Sequence, residues 1–126
     1  MSSKPIKAKP IFYTLILPNL MEIARNHGYN LIGHGSFNRD LDLIAIPWED
    51  TPASHKELLH AFCTYLGSPK LELPEQYLHS MLPGHRYSYV INLNRGFGTP
   101  EDPQWYLDIS ITPAIQGNLL VPNTGF

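Results

Sequence analysis

Cysteine is almost absent: Cys63 is the only one in 126 residues. An internal disulfide framework is therefore excluded, and a zinc site would have to rest on histidine and carboxylate ligands. A reducing compartment is the expected setting. Charge is scarce as well, at 16% Asp, Glu, Lys and Arg, and the formal net charge is -2. That balance offers none of the clustered positive charge that non-specific nucleic-acid binding requires. Long apolar runs are also missing. The apolar stretch that follows the basic residues 1–10 is short and is interrupted by Pro18, with no small-residue cleavage pattern after it. Neither a signal peptide nor a membrane span is expected, and the cytoplasm is the expected location. There is no internal repeat and no low-complexity segment.

What is present is an ordinary apolar share of 43%, enough for a sizeable core in one domain covering residues 1–126, with irregular tails expected at 1–9 and 114–126. Pro10 suits the start of a helix at Ile11, and residues 12–26 keep Leu17, Leu20, Met21 and Ala24 at helical spacing before Gly28 as a C-cap. Pro18 implies either a kink or two shorter helices. Residues 29–34 and 41–46 read as two strands joined by a short connection. Ser54 followed by Glu57 fits a capping box for a helix over 55–66, closed by Gly67. Residues 68–84 carry three prolines and read as a lid or connector, with a helical turn or two near 75–81. Residues 86–93 and 104–112 read as an antiparallel hairpin with a long loop. The expected class is α+β: a small mixed or antiparallel sheet with helices packed against it.

The informative stretch is Gly35-Ser36-Phe37-Asn38-Arg39-Asp40-Leu41-Asp42. Carboxylates two positions apart on a strand project from one face, roughly 7 Å apart, and their oxygens can reach one hard cation or a pair. Asp108 sits between Leu107 and Ile109 in the same alternation, which makes a third carboxylate available from another strand. Converging carboxylates among apolar residues repel one another unless a cation neutralises them, which points to Mg²⁺ or Mn²⁺. Gly35 and Ser36 offer close backbone approach and a hydroxyl donor to a phosphate.

Gly-Ser, an Asp-x-Asp strand and a later strand aspartate, in order over residues 29–112, resemble the polymerase-beta-type nucleotidyltransferase superfamily. The run HGSFNRDLDLIAIPW at 34–48 is also similar to a group of small proteins common in tailed phages and their hosts. The superfamily resemblance implies a mixed sheet with helices against it and two bound Mg²⁺ or Mn²⁺ ions. It further implies transfer of a nucleoside monophosphate from a nucleoside triphosphate to a hydroxyl acceptor. On that resemblance Gly35, Ser36 and Arg39 bind nucleotide, Asp40 and Asp42 bind metal, and the catalytic Asp108 completes the ion nearest the nucleophile. Superfamily members place a longer stretch, with a helical turn and a basic group, between Gly-Ser and the first aspartate. Here only Phe37, Asn38 and Arg39 intervene. Arg39, Lys56, Arg86 and Arg95 are candidates for the missing positive charge. The alternative is a non-catalytic nucleotide- or partner-binding protein on the same fold, phage-encoded, and a third reading is an interaction protein with three unrelated aspartates.

The remaining chemistry-bearing residues read as structural. His55 and His60 share neither helical pairing distance, so both are expected to be solvated or partly packed. His34 reads as a strand-end histidine satisfied by backbone. Trp48 and Trp105 flank strands and read as core or rim packing rather than stacking platforms. Residues 94–98 hold two glycines without a following helix, as a hairpin tip does. Cys63 reads as a small buried residue.

Overall fold

The computed structural model of the chain describes residues 8–34, 40–77, 80–84, 86–92, 106–116, 119–121 and 126. Tyr13, Ile16, Leu20 and Ala24 are buried at helical spacing along α1, Ala8–Asn26. This stripe, rather than one through the 37% exposed Met21, faces the core. The helix begins before Pro10, so residues 8 and 9 are not part of an irregular tail, and it runs as one element through Pro18. Pro18 is exposed, so the backbone donor it lacks is lost on the side where water can substitute.

Gly28, at φ 90, turns the chain into β1, Tyr29–His34. A Cβ at this glycine would lie 2.7 Å from Glu49 Oε1 and 2.9 Å from Pro52 Cα, so the positive φ and the close approach both demand glycine. The Gly28 carbonyl accepts from Trp48 N–H at 2.9 Å, which fastens this turn to the end of β2, Asp40–Pro47. β1 and β2 pair antiparallel.

α2, His55–Leu66, has both ends where the sequence places them. Ser54 Oγ accepts from Glu57 N–H at 3.1 Å and Ser54 N–H donates to Glu57 Oε1 at 3.1 Å, completing the capping box. Gly67 closes the helix in the left-handed conformation at φ 74. His55 departs from expectation: it is 1% exposed, and its Nδ1 is hydrogen-bonded to the Tyr89 hydroxyl at 2.7 Å. His60 is half-buried, with Nε2 at 2.8 Å from the Leu71 carbonyl oxygen.

The connector after α2 contains a short 3-10 helix, Pro74–Tyr77, and then β3, Ser80–Leu82, so Met81 lies in a strand and not in a helical turn. β4, Arg86–Asn92, pairs antiparallel with β5, Tyr106–Ile111, as the hairpin reading requires. The five-stranded sheet has the order β1-β2-β5-β4-β3. It is mixed, because β2 and β5 run parallel, and the α+β class holds with two helices packed against an open sheet. The tail expected to be irregular instead contains a small antiparallel pair, β6, Ala114–Gln116, and β7, Leu119–Val121. The sequence carries a signal for such a pair, since Gly-Asn at 117–118 is a residue pair that two-residue hairpins favour.

One face of the large sheet meets both helices. Leu41, Leu43, Leu107, Ile109 and Ile111 are all fully buried there, in one cluster with Leu20 of α1 and Phe62 of α2. Each such side chain contributes roughly 1.5–3 kcal/mol of burial. Neither helix covers the opposite face, where Ile32 is 49% exposed. Among the described residues no helix is long and apolar enough to cross a membrane.

Candidate functional site

The burial of alternate residues fixes which side chains reach the uncovered face. Leu41 opposes Leu107 and Leu43 opposes Ile109, all on the core side. Asp42 and Asp108, between them, are direct register partners on the other side, and both are half-buried. Neighbouring strands lie about 4.8 Å apart, so the two carboxylates emerge side by side. Ser88 on β4 donates its hydroxyl to Asp108 Oδ1 at 3.2 Å. Asp42 is flanked on its other side by the exposed His34, its register partner on β1. Asp40 occupies the first position of β2, in register with Tyr106; its side chain lies outside the described residues, as do Gly35, Ser36 and Arg39 entirely.

Like charges directly opposite on neighbouring strands are destabilising. The Ser88 hydroxyl supplies Asp108 with one hydrogen-bond donor, and a hard divalent cation would offset the charge of both carboxylates. Two carboxylates beside a hydroxyl, open to solvent on one side, form an oxygen donor set that suits Mg²⁺ or Mn²⁺ retaining several waters. Among the described residues no group of three or more His, Cys, Asp and Glu side chains is placed to hold a metal ion. The described part of the cluster is thus the pair Asp42 and Asp108.

The four basic candidates separate. Lys56 forms an ion pair with Glu72 at 2.6 Å from α2, the helix on the covered face. Arg86 alternates with the buried Tyr89 and Ile91 in the same sense as Ser88 and Val90, which puts it on the uncovered face. Its Nε is buried and has no hydrogen-bond partner among the described residues. Arg39 and Arg95 lie outside those residues, as do residues 94–98 and Trp105.

Two clefts border this sheet. One of ≈ 470 Å³ lies past the carboxyl ends of β2 and β5, lined by Trp48, Glu49, Asp50 and Thr112 among others. Trp48 stands 50% exposed on it, at the rim and not in the core. The other, of ≈ 280 Å³, opens beside β4 and is lined by Gln76, Tyr77, Val90 and Tyr106 among others. Cys63 is fully buried, and burial pushes its thiol above the ordinary range, which suits a packed residue and not a nucleophile.

Ser88 is the polar neighbour that motif reading missed. Alternation along residues 86–92 marks it as a non-core position, but its proximity to Asp108 depends on the β4–β5 register. No protein-family model matches the chain, and no curated protein matches it.

Proposed function

We propose that the chain is a metal-dependent nucleotidyltransferase acting in the cytoplasm, moving a nucleoside monophosphate from a triphosphate to a hydroxyl acceptor. The observation that carries this reading is the register pairing of Asp42 with Asp108 on the uncovered face. The resemblance of residues 29–112 to the nucleotidyltransferase superfamily supports it from the sequence side. Asp42 and Asp108, with Asp40 at the start of β2, would hold Mg²⁺ or Mn²⁺. Bound there, the metal would supply charge stabilisation for the attacking and leaving oxygens of phosphoryl transfer. Ser88 holds the Asp108 carboxylate in place. Arg86 offers positive charge on the same face for a phosphate, and Gly35, Ser36 and Arg39 belong to the nucleotide-binding assignment.

The test is a transfer assay with each labelled triphosphate and candidate hydroxyl acceptors in Mg²⁺ or Mn²⁺, run beside calorimetric binding. Transfer by the wild type that Asp108→Ala removes supports the enzyme. Absence of nucleotide binding at millimolar concentration would sink the reading.

One observation favours a second reading. Only three residues separate Ser36 from Asp40, which shortens the segment that carries the basic helical turn in the superfamily. A phage-encoded protein that binds a nucleotide or a partner on this fold without turnover would retain the carboxylates and lose transfer. Binding without transfer to any acceptor is its expected signature.

A further inference from the structure

We propose that the cleft beside β4 is a subsite for a planar heteroaromatic ring that presents hydrogen-bond acceptors on its edge, a nucleobase. Choosing a nucleobase among such rings rests on the nucleotide reading above; the cleft's shape and polarity do not.

The cleft lies beside β4, where Gln76 and Tyr77 of the connector line it together with Val90 and Ile91. Its position ties it to the carboxylates. Val90 is the cross-strand partner of Asp108, and Tyr106 precedes Asp108 by two positions on β5, in register with Asp40. One strand spacing of about 4.8 Å therefore separates Val90 from Asp108, and a second leads on to Asp42.

The half-buried Leu71, Val90 and Tyr106 give the lining apolar and aromatic surface, which suits the faces of a flat ring, while Tyr77 is almost fully buried. Ser68 and Gln76 add polar groups to the lining. Gln76 Oε1 accepts from the backbone N–H groups of Glu72 at 3.0 Å and Leu73 at 2.8 Å. Two converging donors fix which end of the amide is oxygen, so the other end of the amide carries two N–H donors and no acceptor. That edge complements a ring carbonyl or an unprotonated ring nitrogen. At ≈ 280 Å³ the space falls near the lower limit of small-molecule pockets. A ring fits; a whole triphosphate does not, and its phosphates would extend along the uncovered face.

The experiment uses the full chain, isotopically labelled, titrated with adenosine, guanosine, cytidine and uridine without phosphate and without divalent metal. At least one nucleoside should shift the Gln76 side-chain amide and the Val90 and Tyr106 backbone signals, with intermolecular NOEs from the base to the Val90 methyls. Gln76→Glu keeps an oxygen for the Glu72 and Leu73 donors but removes the outward N–H groups, and should weaken binding roughly five- to tenfold. No shifts with any nucleoside at about 10 mM, a concentration far above the ~1 mM of even weak sites, would overturn the subsite. So would NOEs to another region, or unchanged affinity in Gln76→Glu. The NOEs require no variant, so they decide even if Gln76→Glu misfolds. Mn²⁺ broadening of the Asp42 and Asp108 signals, recorded separately on wild type, reports the carboxylate site. Nucleoside binding with no such broadening keeps the subsite and removes the metal-dependent reading.

Discussion

Asp42 and Asp108 stand opposite each other on parallel neighbouring strands, each between residues that are fully buried. The core fixes this placement: a slip of one residue would turn both carboxylates inward and Leu43 outward. The packing of Leu41, Leu43, Leu107 and Ile109 therefore sets the position of the pair, and Ser88 adds a hydrogen bond to Asp108.

Divalent metal should stabilise the fold through this pair, because ligation offsets the mutual repulsion and acts on the native state alone. Thermal unfolding with Mn²⁺ should show a raised melting temperature that saturates. Asp42→Asn should lose most of that rise. An equal rise in the variant would place the metal elsewhere.

Binding and chemistry should separate by residue. Asp108→Ala should abolish transfer while part of the triphosphate affinity survives. Ser36→Ala and Arg86→Ala should weaken triphosphate binding, by roughly tenfold for one charge-assisted hydrogen bond. Lys56→Ala should leave binding near wild type, since Glu72 engages Lys56 on the covered face. Calorimetry and the transfer assay on the same preparations distinguish these outcomes.

Two local positions should control stability independently of function. Gly28→Ala combines a positive φ with overlap on the Pro52 backbone and should cost about 2 kcal/mol or more. Ser54→Ala removes the oxygen that accepts Glu57 N–H and should cost about 1 kcal/mol. Urea unfolding of both variants gives the comparison; a smaller loss for Gly28→Ala than for Ser54→Ala would contradict the close-approach argument.

Alkaline stability should be governed in part by Tyr77 and Tyr89. Burial raises both phenols well above their ordinary value near 10, and for Tyr89 the neighbouring Tyr87 and Tyr29 add to it. The folded state thus holds protons that the unfolded chain releases. This contribution is fully present below about pH 10 and is lost as pH rises towards the raised folded values. Unfolding free energy measured from about pH 9 to about pH 11.5 should fall, and Tyr77→Phe should flatten the slope. A slope unchanged by that substitution would exclude Tyr77 as a contributor.

The sequence by itself determined the parts governed by neighbours in the chain. The ends of α2 were legible because Ser54, Glu57 and Gly67 act within one turn of the helix they bound. The sense of Asp42 and Asp108 was legible because strand alternation separates each from the leucine before it. Stretches of three residues carry too little periodicity, which is why β3, β6 and β7 were not evident from alternation. Only the tertiary structure decided the rest. The parallel pairing of β2 with β5 joins segments separated by α2, β3 and β4, and no local pattern sets that register. The burial of His55 likewise depends on Tyr89, 34 residues away. The cleft near Asp108 brings Gln76 and Tyr77 of the connector to Val90 and Tyr106 of the sheet. Each is a contact between distant segments, fixed when the apolar faces of helices and strands close on one core, and local propensity holds no record of it.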